Sequence, residues 1–219
     1  NAAIRHPGQL VVRFGETFVA KGGTMVTERV TGFSGSHGAR IVETDADQYA
    51  FERIVVAAGS WSAKLIRHFG ARIVLDAERG YHITIPEPGP MPSMPVMSGE
   101  GKFLATPMSV GLRLAGTVEL AGVDAAPNYA RARTLIKHGQ HMFPGLKTDD
   151  YSEWMGRRPT LPDSLPVVGR SPKFDNVFFA FGHQHIGLTA GPETGRIIAD
   201  LVADRHSNID LTPYRADRF

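Results

Sequence analysis

Two apolar segments that end in glycine carry the strongest chemical signal in the sequence. One reads Ile-Val-Val-Ala-Ala-Gly and ends at Gly59, and the other reads Phe-Ala-Phe-Gly and ends at Gly182. Glycine after a parallel strand lets the backbone approach a ligand closely, and the following helix offers free N–H groups and a positive dipole end to an anion. Open α/β sheets bind ligands at such strand ends. Each junction alone also fits an ordinary tight turn between strand and helix.

Two pairs of histidines have spacings that resemble those of metal ligands. His183 and His185 would share one face of an extended segment, and His138 and His141 lie three residues apart in a predicted helix. The first pair has no nearby carboxylate, so a loop is favoured over a metal site there. The second pair is expected on a solvated helix face, and we therefore assign no metal ligands.

Hydrophobic periodicity predicts the elements that position the two glycine junctions. Residues 53–58 and 177–180 are continuous apolar runs, typical of strands covered on both faces in a parallel sheet. Periodicity and turn residues assign the neighbouring segments. Helices are predicted at residues 10–19, 63–69 and 194–204, a strand at 24–30, a turn at 32–38, a hairpin over 39–44 and 48–51, and a loop at 182–191.

The middle of the chain has a different character. Residues 81–85, 102–106 and 112–117 predict strands. The segment at 86–92 is proline-rich and extended, and residues 128–142 predict one covering helix. The order α/β, antiparallel, α/β indicates an α+β fold in which a middle domain is inserted into one sheet system. The predicted domains are an incomplete α/β part at residues 1–69 and 158–219 and an antiparallel-sheet domain at residues 70–157.

Composition disfavours several classes of function. The 219 residues carry 24 lysines and arginines against 22 acidic residues, so the net charge of +2 makes nucleic acid a poor candidate partner. The absence of cysteine removes disulfides, thiol nucleophiles and cysteine-bound zinc. It also fits a reducing compartment, and we expect a cytoplasmic protein. No apolar run approaches the roughly 18 residues that would span a bilayer.

Several segments, in a fixed order, carry a resemblance to a known family. Each is modest alone, but together they cover nearly the whole chain. Their order resembles that of the D-amino-acid oxidase and dehydrogenase group of FAD enzymes, which includes glycine and sarcosine oxidases. The segments are His6-Pro7-Gly8 with its helix, Val30-Thr31-Gly32-Phe33, residues 54–61, Arg79-Gly80-Tyr81, residues 154–163 and residues 182–189.

The resemblance implies FAD contacts at both glycine junctions. The backbone of Val30 would meet the adenine end of FAD, and Gly59 with Ala58 would lie beside the dinucleotide. The segment from Gly182 onward would face the pyrimidine edge of the flavin, where a helix N-terminus stabilises negative charge on the reduced ring. The residues expected to lie there are Ile186, Gly187, Leu188 and Thr189.

Two residues are implied in substrate binding by the same resemblance. In the matching motif an arginine before proline holds the substrate carboxylate, which gives this role to Arg158; its planar fork pairs with both oxygens. The neighbouring Arg157 would point the opposite way on a strand, so the register decides between them. The phenol of Tyr81 would close the pocket or donate to the carboxylate, although a half-buried strand tyrosine explains it equally well. Trp61 and Trp154 are expected to be packing residues.

The chain departs from the family at the loop that binds the dinucleotide. A complete member begins with a strand, a G-x-G-x-x-G loop and a helix that holds the FAD pyrophosphate, and that spacing is absent from this sequence. The resemblance therefore implies the C-terminal portion of an enzyme whose N-terminal segment is a missing partner. We expect the chain to be inactive alone.

The activity implied for the full-length parent is FAD-dependent oxidation of the C–N bond of an amino acid or related amine acid. The Cα hydrogen would pass as hydride to flavin N5, and water would hydrolyse the imino acid. A contact with an electron acceptor or a membrane surface is a further expected partner. One alternative is an FAD-dependent 2-hydroxy-acid dehydrogenase with a histidine base in the loop at 182–189. Another is a truncated, non-catalytic domain that does not bind FAD.

Overall fold

The structure, a computed structural model, describes residue 4, residues 6–35 and residues 41–219. The chain divides into two units, and their bounds differ from the predicted domains: the first helix groups with the antiparallel sheet, and residues 70–77 group with the α/β part. The assignment of FAD binding and substrate binding to these units stays a prediction. The first unit comprises the described parts of Asn1–Met25 with Glu78–Arg157, and the second comprises the described parts of Val26–Ala77 with Arg158–Phe219.

A parallel pair of strands lies at the centre of the second unit. Strand β4 (Ile54–Val56) runs parallel to β11 (Val177–Phe181), with Val56 opposite Phe179. Strand β10 (Val167–Arg170) pairs antiparallel with the other edge of β11. Both predicted apolar strands are therefore confirmed, and their parallel pairing brings their carboxyl ends to the same edge of one sheet.

The two parallel strands differ in how far they are buried. On β11, Phe179 faces one core cluster of the second unit and Phe178 faces another, which it shares with Ile197 and Ile198 of helix α4 (Gly187–Val202). On β4, alternation sends Ile54 and Val56 inward but leaves Val55 42% exposed. The prediction that β4 is covered on both faces is therefore wrong, because α4 packs against β10 and β11.

A separate antiparallel sheet in the second unit contains β1 (Val30–Ser34), β2 (Ile41–Thr44) and β3 (Gln48–Ala50). The hairpin of β2 and β3 is confirmed, although residues 39–40 of its predicted range lie outside the described residues. The predicted strand at 24–30 is wrong, because pairing with β2 begins only at Val30 and β-branched composition cannot replace a partner strand. The predicted turn at 32–38 is wrong in its first part, which belongs to β1; residues 36–38 lie outside the described residues.

Two helical segments follow the glycine junctions. The first consists of α2 (Ser62–Leu65) with 3-10 turns at Gly59–Trp61 and Ile66–Phe69, so the helix predicted there is confirmed in mixed form. The second, α4, begins well before residue 194, and the predicted loop at 182–191 is wrong in its second half. Glycines and Pro192 disfavour a helix here. One proline, however, removes only one intrahelical hydrogen bond, and packing of the buried face of α4 stabilises the helix.

The first unit is built on a five-stranded sheet. Across the sheet its strands are β6 (Val96–Ser98), β7 (Phe103–Met108), β8 (Gly111–Leu120), β5 (Asp76–Ile85) and β9 (Ser152–Thr160). The pairs β6–β7, β7–β8 and β8–β5 are antiparallel, and helix α3 (Ala130–Met142) packs against β8. The predicted antiparallel sheet with one covering helix is therefore confirmed over these four strands, and the whole is of the predicted α+β class. The first helix, α1 (Pro7–Ala20), belongs to the same unit.

The helices of the first unit are packed very differently. In α3, Gly139 approaches β8 so closely that an added Cβ would lie 2.4 Å from Leu114 Cδ1. The first helix, α1, starts at Pro7 and ends before Gly22, as predicted, yet none of its residues is buried. Among the described residues, no helix combines the length and the apolar character needed to cross a bilayer.

Phe69 tests the core of the second unit. It is fully buried and its ring contacts those of Phe33, Phe174 and Phe179. Phe69→Ala should lower the free energy of unfolding by about 3–5 kcal/mol, since it removes a buried ring and leaves a cavity. Urea denaturation followed by circular dichroism measures the loss. Phe51→Ala, at a position 49% exposed, should change the free energy of unfolding by less than about 1 kcal/mol. Equal losses of stability in the two variants would contradict the assignment of Phe69 to the core.

Candidate functional site

The carboxyl ends of β4 and β11 form one edge of their sheet. Each strand runs into a glycine with positive φ, +54° at Gly59 and +89° at Gly182. An added Cβ at Gly59 would meet no atom within 4 Å, so open space lies over this backbone. At Gly182 an added Cβ would lie 2.5 Å from Leu161 Cδ1. Gly59 therefore presents bare backbone to a ligand, whereas Gly182 allows close packing within the protein.

Helix α4 adds hydrogen-bond donors a few residues beyond Gly182. Its N-cap residue, Ile186, makes no side-chain cap, and its first turn contains no acidic residue. Helix geometry leaves the N–H groups of the first turn without intrahelical acceptors. The exposed side chains of Ile186 and Leu188 flank this turn. Free donors, a positive dipole end and apolar neighbours suit a ligand that is both anionic and partly apolar.

The predicted site residues are distributed unevenly between the two units. All except Tyr81 lie in the second unit. Within that unit the structure places the segments of Gly59 and Gly182 side by side on one sheet, whereas Val30 begins the separate sheet β1-β2-β3. The individual roles stay predictions. The residues of the second unit are Val30, Ala58, Gly59, Arg158, Gly182, Ile186, Gly187, Leu188 and Thr189.

Two adjacent arginines are candidates for the carboxylate role. Arg157 Nε donates a 2.7 Å hydrogen bond to the backbone carbonyl of Val123 in the first unit. Arg158, which follows it on β9 and is half-buried, points to the opposite side of the strand. Because Arg158 is the arginine that directly precedes proline in the motif, it stays the predicted carboxylate ligand.

Tyr81 belongs to a buried polar network in the first unit. Its hydroxyl donates a 2.5 Å hydrogen bond to Glu119 Oε2 and accepts bonds from Asn128 N at 3.0 Å and Arg79 Nη2 at 3.2 Å. The Tyr81 hydroxyl, with the guanidiniums of Arg79 and Arg131, holds the pKa of Glu119 below its usual value. Glu119 was not identified from the sequence, although its register opposite Arg79 follows once β5 and β8 are paired. The geometry favours the core role of Tyr81 over the substrate role.

The same network fixes the segment of residues 121–128. Arg79 Nη2 donates a 2.6 Å hydrogen bond to the carbonyl of Ala126, and Arg157 Nε donates one to the carbonyl of Val123. The N–H of Asn128 is bound by Tyr81. Three side chains of the sheet therefore bind backbone atoms of this irregular connection.

The histidines considered as metal ligands have protein contacts or lie in solvent. His183 shares a 2.9 Å hydrogen bond with Thr194 Oγ1, and burial lowers its pKa. His138 and His141 are exposed on α3, as predicted. Within the described ranges, no group of three histidine, aspartate or glutamate side chains is arranged to hold a metal ion.

Comparison with known families identifies the family to which the chain belongs. Residues 1–201 match the family described as FAD dependent oxidoreductase, also called DAO. The chain therefore belongs to the DAO family of FAD-dependent oxidoreductases, and the resemblance found from its motifs is confirmed. FAD is the cofactor of this family.

Curated relatives agree with this assignment. A D-amino-acid oxidase from Bradyrhizobium diazoefficiens is 37% identical over 220 residues, which cover 98% of this chain and 52% of that protein. A D-amino acid dehydrogenase from Paramagnetospirillum magneticum is 36% identical over 171 residues, or 77% of this chain and 40% of that protein. An uncharacterized oxidoreductase from Halorhodospira halophila is 32% identical, with coverages of 84% and 86%. The chain thus spans about half the length of the first of these relatives.

Solved structures share the fold. A glycine oxidase from Geobacillus kaustophilus matches with a TM-score of 0.86 and 24% identity, over 96% of this chain and 57% of that one. An L-proline dehydrogenase from P. horikoshii matches with a TM-score of 0.79 and 19% identity, over 96% and 59%. The likeness extends across nearly all of this chain.

Replacing Tyr81 tests whether its hydroxyl holds the network. Tyr81→Phe leaves the buried Arg79, the partly buried Glu119 carboxylate and the N–H of Asn128 without this partner. It should lower the free energy of unfolding by about 1–3 kcal/mol. Chemical denaturation measures the change. Tyr49→Phe is the matched control, since the Tyr49 hydroxyl donates to Glu28 near the surface of the second unit and its loss should matter less. A Tyr81→Phe chain as stable as the unaltered chain would refute the structural role.

Proposed function

We propose that this chain supplies an FAD-binding edge and a substrate carboxylate ligand of an oxidoreductase that oxidises the C–N bond of an amino acid or related amine acid. One observation carries the proposal: β4 and β11 end side by side, and open space lies over Gly59. Membership of the FAD-dependent family supports the choice of ligand. The D-amino-acid oxidase and dehydrogenase among its relatives support amino acids, of D configuration, as the substrate class.

The residues of the second unit fit FAD by chemistry. The bare backbone at Gly59, with Ala58 beside it, would lie against the dinucleotide. The N–H groups of Gly187, Leu188 and Thr189 have no intrahelical acceptors and would donate to an electron-rich edge of the ligand. When bound, FAD supplies the two-electron acceptor for the hydrogen that leaves the substrate Cα.

Arg158 would bind and orient the substrate. A guanidinium pairs with both oxygens of a carboxylate, which fixes the direction of the Cα–H bond. Orientation of this kind is a large contribution to rate when the cofactor carries the chemistry. No side-chain base is assigned, because an amine that arrives neutral has no proton to lose before oxidation. The 2-hydroxy-acid alternative requires a histidine base, and His183, a candidate in that loop, is bonded to Thr194.

Gly59 provides the test of FAD binding. Gly59→Ala places a methyl group in the open space and strains a residue with φ of +54°, so FAD binding should weaken about tenfold. Quenching of flavin fluorescence on titration with the full-length parent implied by the family resemblance measures the affinity. Gly122→Ala is the matched control: it also has positive φ (+69°) and open surroundings, but lies in the first unit. Equal FAD binding by Gly59→Ala and by the unaltered parent would contradict the proposal.

Arg158 provides the test of substrate binding. In the FAD-loaded full-length parent implied by the family resemblance, Arg158→Gln should raise KM for a D-amino acid at least about tenfold and change kcat much less, because the lost contact binds substrate and transition state alike. Steady-state assays with an artificial electron acceptor measure both constants. Arg157→Gln should leave KM unchanged and lower stability through the lost Val123 bond. The reverse pattern would move the carboxylate ligand to Arg157 and overturn the assignment.

A further inference from the structure

Three methionines lie at the surface of the first unit, in the connection between β5 and β6 and in β6 itself. Residues 91–97 read Met-Pro-Ser-Met-Pro-Val-Met, which places a methionine at every third position. A proline follows Met91 and Met94, and proline supplies no N–H to a helix or a sheet. The exposed fraction is 48% for Met91, 65% for Met94 and 67% for Met97. We call these three residues the methionine triad.

The pairing of β6 explains why Met97 stays in solvent. Strand β6 lies at the edge of the sheet, beside β7. Val96 pairs with Ala105, which is buried in the core beneath α3, and Met97 pairs with the exposed Leu104. Because successive residues of a strand point to opposite faces, the side chain of Met97 points away from that core.

The other four methionines of the chain are better protected. Met155 is only 8% exposed in the core beneath α3, and Met142 is partly buried against the same core. Met108 is half-buried. Met25 is exposed, but its sulfur packs against α1, 3.3 Å from the place where a Cβ on Gly15 would stand. The fold therefore sorts the methionines by the access of solvent to their sulfur atoms.

The thioether of methionine undergoes a two-electron oxidation by hydrogen peroxide. The O–O bond breaks, one oxygen forms the S–O bond of the sulfoxide, and the other leaves as water. A sulfoxide is polar, so it destabilises a core that contains it, whereas the same change in solvent costs little. Sulfoxide reductases restore the thioether with electrons from thiols and release the oxygen as water. The consequence of oxidation therefore depends on where the methionine lies.

We propose that the methionine triad is a site of reversible oxidation by hydrogen peroxide, and that it takes up peroxide before the protected methionines do. Each thioether of the triad removes one molecule of peroxide. The first unit keeps its fold, because the triad lies outside its core. The source of the peroxide rests on the proposed function: an amine oxidation whose two electrons and two protons pass finally to O2 yields hydrogen peroxide. The site itself depends neither on FAD nor on the substrate.

Trypsin separates the triad from the other methionines. Cleavage after Arg79 and Lys102 releases one peptide, residues 80–102, that contains the whole triad. The other four methionines fall in separate peptides, residues 22–29, 103–113, 138–147 and 148–157.

Mass spectrometry of these peptides measures the order of oxidation after brief treatment of the folded chain with hydrogen peroxide. Peptide 80–102 should gain oxygen about tenfold faster than peptide 148–157, which carries Met155, and faster than the peptide of Met25. In urea all the methionines should oxidise at similar rates, since the fold no longer protects any of them. Oxidation of Met25 or Met155 in the folded chain as fast as oxidation of the triad would overturn the proposal.

A triple variant tests whether the triad takes up peroxide ahead of the core. Met91→Leu, Met94→Leu and Met97→Leu together keep apolar side chains of similar volume and remove the sulfur atoms. With one molecule of peroxide supplied for each triad thioether, oxidation of Met155 should be at least about twofold greater in the triple variant than in the unaltered chain, because less peroxide is consumed elsewhere. Urea denaturation of the treated samples should then show a loss of stability in the triple variant alone.

Met25→Leu is the matched control, since it removes one exposed thioether outside the triad and should respond to peroxide as the unaltered chain does. Circular dichroism before treatment verifies that each variant is folded. Equal oxidation of Met155 in the triple variant and in the unaltered chain would show that the triad does not react first, and would overturn the proposal.

Discussion

The parallel pairing of β4 with β11 is the constraint on which the candidate site depends. Those two strands are far apart in the sequence, and they come together because Phe179 and Val56 lie side by side in one core. Parallel strands deliver their carboxyl ends to a common edge. Only this pairing brings the open backbone at Gly59 and the uncapped start of α4 to the same edge of one sheet, where one ligand could contact both.

Much of the fold could be predicted, because strands and helices with strong local patterns dominate it. Continuous apolar runs predicted β4 and β11, and helical spacing predicted α1. The wrong secondary-structure predictions share a cause: contacts with other elements decided the structure where the local composition favoured a different one. Residues 24–29 have strand-like composition but no partner strand, and Pro192 lies inside a helix that packing sustains. Strand alternation did not reveal that Val55 stays exposed, because the position of α4 decides that.

The candidate site was predictable to the extent that its motifs are local. The glycines and the arginine pair are visible in the sequence, and the contact of Arg157 with Val123 required the structure. The network around Tyr81 was not predictable, because it joins β5, β8 and the connection at residues 121–128, whose register no single segment reveals.

The irregular connection at residues 121–128 is bound to its sheet through three main-chain atoms: the carbonyls of Val123 and Ala126 and the N–H of Asn128. At these three positions the anchoring does not depend on which side chain the residue carries. An insertion or deletion between them would instead displace the main-chain atoms from Arg79, Tyr81 and Arg157. Among homologues, the side chains at these three positions should vary while the connection keeps a constant length.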